Sequence, residues 1–161
     1  MAKDIFDLVM DRHAWVLPVL STFVNGAIWW GRARKEIARK PSLEPGYRRL
    51  IRGSLFFGNI PWLVMGVGTE IGGVPISRYI NPRNGPFVLA WYVCVVALSI
   101  AIDYWLFFRN GVEDLVEHPG LVGLSDNRLW VIKTYLLFGS ACSLIGLCVM
   151  IFGNFQFGPP N

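Results

Sequence analysis

Apolar and charged residues are segregated along this chain. Four apolar blocks, residues 14–31, 53–68, 87–108 and 130–153, contain only two charged side chains, Asp103 and Lys133. Every other charge lies between the blocks or at the termini. The hydrocarbon core of a bilayer, about 30 Å thick, is crossed by roughly 20 mainly apolar residues in a helix. The pattern predicts an all-α integral membrane protein: one domain, an antiparallel four-helix bundle with short loops.

Local residues refine the four spans. Pro18 removes a backbone donor inside the first block and predicts a kink there. Ser21 and Asn25 stand one helical turn apart and form a narrow polar stripe. The second block holds Gly58, Asn59, Pro61, Gly66 and Gly68. Such residues are tolerated at membrane depth where neighbours satisfy the freed backbone groups, so this helix should be the most enclosed and most irregular. It is expected to end near Gly68, with 69–73 as a turn. In the fourth block Gly139 and Ser143 match the small-xxx-small spacing of close helix contacts, and Ala97 and Ala101 offer a flat patch on the third. Trp15, Trp91 and Tyr92 at one set of ends, and Trp29, Trp30, Tyr104, Trp105 and Trp130 at the other, read as interfacial aromatic belts.

The connections are short. Residues 4–12 form an amphipathic segment with Asp4, Asp7 and Asp11 on one face. Lys40-Pro41 and Pro45-Gly46 break the first connection. In the third, Asn110 and Glu113 have capping-box spacing and start a surface helix that ends at His118-Pro119-Gly120. Ser125 or Asp126 is expected to cap the fourth span.

Charge placement sets orientation. The chain carries a net +4, yet the loop 32–52 alone holds Arg32, Arg34, Lys35, Arg39, Lys40, Arg48, Arg49 and Arg52 against only Glu36 and Glu44. Short basic loops stay cytoplasmic, which puts both termini outside, in a plasma or inner membrane. The same cations meet anionic lipid headgroups, and topology explains them without nucleic acid. The third connection carries Glu113, Asp114, Glu117 and Asp126 and lies on the same side, so the two are expected to touch, with Arg48 or Arg49 facing Glu113 or Glu117. Trp29-Trp30-Gly31-Arg32 ends the first block in a stop-transfer flank rather than a cleavage site. Met1-Ala2-Lys3 does not match a myristoylation start.

With 53% hydrophobic, 14% aromatic and 16% charged residues, the chain leaves no material for a separate soluble domain. Candidate chemistry is sparse. Asp103 is a carboxylate within a span, which is costly. Lys133 on the next helix is its expected partner, as an ion pair that fixes the hairpin or as part of an ion path. Asn59 and Pro61 can open a polar pocket toward Ser21 and Asn25, bordered by Glu70. The bland alternative, an internally bonded kink, is preferred. His13 and His118 fall at opposite edges, against a haem site within one chain. Asp114, Glu117 and His118 are too few to hold a metal. Cys94, Cys142 and Cys148 read as small packing residues. No nucleophile elbow, phosphate loop or His-Glu-x-x-His occurs, so neither cofactor nor catalytic residue is assigned. The function expected is a non-catalytic scaffold or accessory subunit, in contact with other membrane subunits or with copies of itself. The alternative is a homo-oligomeric channel or small-solute permease.

Overall fold

The structure, a computed structural model, describes residues 10–124 and 126–153. Among these no strand occurs, and the architecture is all-helical. Five α-helices follow one another: α1 (Val16–Arg39), α2 (Glu44–Glu70), α3 (Pro86–Phe108), α4 (Gly111–Glu117) and α5 (Leu129–Phe152). A helical turn over residues 10–13 precedes α1. Short 3-10 turns, Pro41–Leu43, Ile76–Ile80 and Pro82–Asn84, fill the connections. The proposed acidic face at Asp4 and Asp7 and the cap at Ser125 lie outside the described residues.

Three of the long helices are apolar enough over their length to cross a membrane: α2 with its preceding turn, α3 and α5. α1 is not among them. Ser21, Thr22, Asn25 and the Arg32–Arg39 extension dilute its apolar stretch. The helices also outrun their apolar blocks. α1 continues eight residues past Gly31, and α2 starts nine before Gly53, because helical hydrogen bonds close inside the segment whatever the side chains.

Proline and glycine mark the ends. Pro41 disfavours helical geometry at the residue before it, and Lys40 leaves the helical region at φ −140°, ψ 88°. Pro86 at the first turn of α3 follows Gly85 at φ 139°, a conformation that only glycine adopts easily. Asn110 ends the α3 segment at φ 58°, a left-handed position that asparagine tolerates. The expected capping box is absent: Asn110 makes no side-chain cap bond, since its left-handed backbone differs from the extended geometry of an N-cap. At the start of α5, Asp126 Oδ1 accepts from the Arg128 backbone N–H at 3.0 Å, while the N-cap residue is Arg128 itself.

α1 and α2 form an antiparallel hairpin. Trp15 meets Gly66, Thr22 meets Asn59 and Gly26 meets Leu55, so contacts step oppositely along the two helices by equal amounts. Near the turn, Ala33, Leu43, Tyr47 and Ile51 close a buried core. α2 remains one continuous helix through Pro61, less broken than the sequence implies, and ends at Glu70, two residues past Gly68. Two of its glycines, Gly66 and Gly68, are seats for rings. A methyl group at Gly66 would lie 2.8 Å from the Trp15 indole, and one at Gly68 would overlap the Tyr79 hydroxyl.

The opposite end, away from the arginine-rich connection between α1 and α2, has a second core of Met65, Tyr79, Val88, Trp91 and Tyr92. The Tyr92 hydroxyl is 3.0 Å from the Tyr79 carbonyl and 2.9 Å from the Ile80 carbonyl, tying the 3-10 turn to α3. The Tyr79 hydroxyl donates to the Met65 carbonyl at 3.2 Å. Trp15 packs on Gly66, and Trp91 and Tyr92 are buried around Tyr79, so these three rings pack inward. Trp130 and Tyr104 do stay exposed.

α5 is attached differently. Ile132 is buried with Leu106 and Val112 at one end, and Met150 and Ile151 lean on the Met65–Tyr79 core at the other. Between them, none of the most apolar stretch of α5 is buried.

Candidate functional site

The intramembrane polar residues do not form one site. Asn59, 6% exposed, donates through Nδ2 to the Leu55 carbonyl at 2.6 Å. Its Oδ1 lies 2.7 Å from the Thr22 hydroxyl, which also has the Val19 carbonyl at 2.7 Å as an acceptor. Asn59 is thus internally bonded, in a helix that continues through Pro61, and Thr22 is the partner that sequence reasoning missed. Ser21 and Asn25 face outward instead; Ser21 donates to the Pro18 carbonyl at 2.8 Å. The expected pocket toward them therefore does not form: Thr22, one position on from Ser21, is rotated by about 100° around the helix and takes the inner side.

Glu70 belongs to the end opposite the arginine-rich connection between α1 and α2. Its Oε1 lies 2.9 Å from His13 Nδ1 and 3.4 Å from Trp15 Nε1, and Oε2 lies 3.5 Å from Arg12 Nε. Asp11 Oδ1 accepts from the Ser77 backbone N–H at 3.2 Å. Glu70 therefore latches the entry to α1 onto the end of α2. Eleven residues of helix, about 16 Å, separate it from Asn59.

Asp103 meets Ser140 rather than Lys133. The Ser140 hydroxyl donates to Asp103 Oδ1 at 2.6 Å, and Lys133 is exposed. Ser140 stands at the midpoint of α5, eleven residues from Leu129 and twelve from Phe152. Lys133 lies two turns, about 10 Å, nearer the Arg-rich end. The stagger of the two helices thus sets the carboxylate level with the centre of its neighbour. A cleft of about 280 Å³ opens around this bond. Ser99, Asp103, Tyr135, Ser140 and Ser143 contribute its polar groups and Ile102 and Leu144 apolar ones. No cation pairs with Asp103 among the described residues.

At the Arg-rich end the basic and acidic connections touch, with partners that differ in part from those expected. Arg49 Nη2 reaches Asp114 Oδ2 at 2.8 Å. Arg48 turns back to Glu44 at 2.7 Å and lies over the Trp30 ring at 5.6 Å. Arg32 donates to the Gly120 carbonyl at 3.3 Å. Asp114, not Glu113 or Glu117, takes Arg49 because α4 turns that position toward α2. The Tyr47 hydroxyl donates to the Pro119 carbonyl at 2.8 Å. The His118 ring stands edge-on to Tyr47 at 4.9 Å, and its Nδ1 lies 2.7 Å from the Asp114 carbonyl. A carbonyl only accepts, so Nδ1 carries the proton. His118 is thus a packing residue that plugs α4 onto Gly46. Arg34, Lys35, Arg39 and Lys40 are exposed, and Arg39 pairs with Glu36 at 3.1 Å. Arg52 is exposed and makes no ion pair among the described residues.

Compared with known proteins, the chain matches no family model, no curated protein and no solved structure.

Proposed function

We propose that this chain is a four-span, non-catalytic subunit that holds a second membrane protein against the cleft between α3 and α5. In this reading α1 crosses the bilayer with α2, α3 and α5 in antiparallel alternation, and the Arg-rich end is cytoplasmic. One observation carries it. Asp103 sits level with the midpoint of α5, with a single hydroxyl as partner and no cation. Asp103 lies five residues before the end of α3, where an ionised side chain still costs something, though less than the roughly 2.5–3.5 kcal/mol that insertion scales give for the centre of a span. A partner helix that brings a basic or hydroxyl group to Asp103 removes that cost and covers the bare middle of α5. The small face at Gly139 and Ser143 lets such a helix approach closely.

The test is native mass after extraction in a mild detergent. The wild-type chain is expected with a partner mass, and Asp103→Ala is expected to lose it while Lys133→Ala keeps it. A lone monodisperse wild-type monomer rejects the proposal.

The polar lining of the same cleft favours a second reading, a ring of copies around an ion path. Reconstituted protein would then pass ions, and Asp103→Asn would change the flux. A mass that is a whole multiple of the chain separates this reading from a foreign partner.

A further inference from the structure

The cleft between α3 and α5 lacks a positive charge rather than hydroxyl groups. Ser99 and Asp103 stand one helical turn apart on α3, and Ser140 and Ser143 are three residues apart on α5, so each pair shares a helix face. All four line the cleft. The Ser140 hydroxyl donates to Asp103 Oδ1 at 2.6 Å. The Ser99 and Ser143 hydroxyls make no side-chain hydrogen bond among the described residues. The chain thus brings hydroxyls of its own to the carboxylate. Asp103 is nevertheless the only charged residue in the lining, and no cation pairs with it among the described residues.

Size and lining narrow the class of cation. At about 280 Å³ the cleft has room for roughly nine waters of about 30 Å³ each, so a bare inorganic ion would fill only a small part of it. Leu136 and Leu144 make other parts of the wall apolar, which suits a hydrocarbon stem behind a charged head. A guanidinium pairs best with both oxygens of a carboxylate, and Oδ1 is already engaged by Ser140. An ammonium is a compact charge with three rotatable donors. Asp103 Oδ2 and the Ser99 and Ser143 oxygens equal those donors in number. We propose that the cleft seats one primary alkylammonium, supplied by the partner helix as a lysine side chain. The source of the ammonium rests on the partner-subunit reading; the seat itself does not.

n-Butylammonium reproduces the stem and head of lysine. The full chain in dodecyl maltoside, carrying ¹³C-labelled serine, can be titrated with it at neutral pH, and the Cβ resonances of Ser140 and Ser143 report occupancy. Half-saturation is expected at a concentration about tenfold lower than for sodium, n-butanol or butylguanidinium, since only the alkylammonium joins a compact charge to an apolar stem. Asp103→Asn should abolish the response. Ser99→Ala should raise the half-saturating concentration about fivefold, the worth of one hydrogen bond, with the unfolding midpoint unchanged. An equal response to sodium or butanol, tighter binding of butylguanidinium, or full binding by Asp103→Asn would overturn the seat. Native mass separates the sources. Release of a partner mass as butylammonium saturates the cleft supports the partner's lysine, and a partner mass that persists at saturation overturns it. A lone monomer that still binds butylammonium rejects the partner reading and supports the seat with a free amine as its occupant.

Discussion

Replacing Gly46 by alanine should destabilise the protein, although the exchange favours helix elsewhere. Gly46 lies in the first turn of α2, and an added Cβ would overlap His118 Nε2 and stand 2.5 Å from Cε1. The ring cannot simply swing aside. Its Nδ1 is bonded to the Asp114 carbonyl, and the ring is held in a perpendicular contact with Tyr47. Relief means lifting His118 out. That forfeits one hydrogen bond, about 1 kcal/mol, and an aromatic pair of about 0.5–1.5 kcal/mol. Alanine returns at most about 1 kcal/mol of helix preference. The net cost of Gly46→Ala is therefore about 0.5–2 kcal/mol. In a His118→Ala background the obstacle is gone, and the same exchange should become neutral or stabilising by up to about 1 kcal/mol. Tryptophan fluorescence during unfolding in mixed dodecyl maltoside and SDS micelles supplies all four corners of the cycle. A Gly46→Ala cost that is equal in the two backgrounds would refute the seating of His118 on Gly46.

Further outcomes follow from the same geometry. The Thr22→Val and Asn59→Leu pair should couple by about 0.6–1.7 kcal/mol, the range of interhelical hydrogen bonds in membranes; additivity would mean that the bond contributes nothing. Gly68→Ala should be harmful with Tyr79 present and much less so with Tyr79→Phe, because the methyl group overlaps only the phenol oxygen within 3 Å; equal damage in both, read by thermal unfolding, would count against that contact. Hydrogen bonds from the Arg128 side chain and backbone N–H hold the Asp126 carboxyl below its ordinary value. A depressed carboxyl stabilises the fold above its unfolded value, about 3.9, and that contribution disappears as pH falls through the folded value. The ¹³C carboxyl resonance of Asp126 should thus titrate below 3.9, and Arg128→Gln, which keeps only the backbone N–H bond, should raise it part of the way back.

Continuous apolarity made two helices legible almost to the residue: α3 and α5 begin one position before the blocks 87–108 and 130–153. The ends of α1 and α2 were less visible, since charged residues extend a helix as readily as apolar ones. The meeting of the basic and acidic connections was also legible, but not the choice of Asp114, which depends on how α4 is rotated. Thr22 was hidden because spacing tells which residues share a face and not which face turns inward. Ser140 was hidden for a related reason: the depth at which α5 meets α3 is set by residues 109–128, whose path no periodicity encodes. The glycines of α2 were recognised as unusual, yet their use as ring seats for Trp15 and Tyr79 needed the partner helices in place.

The fastening of α5 at its two ends also has a bearing on biogenesis. The two cores that join α1, α2 and α3 draw almost all their side chains from the first 121 residues. A nascent chain can complete them while the last segment is still inside the ribosome. The final helix then arrives as a latecomer to a finished platform, and its open flank is available to whichever neighbour in the membrane reaches it first.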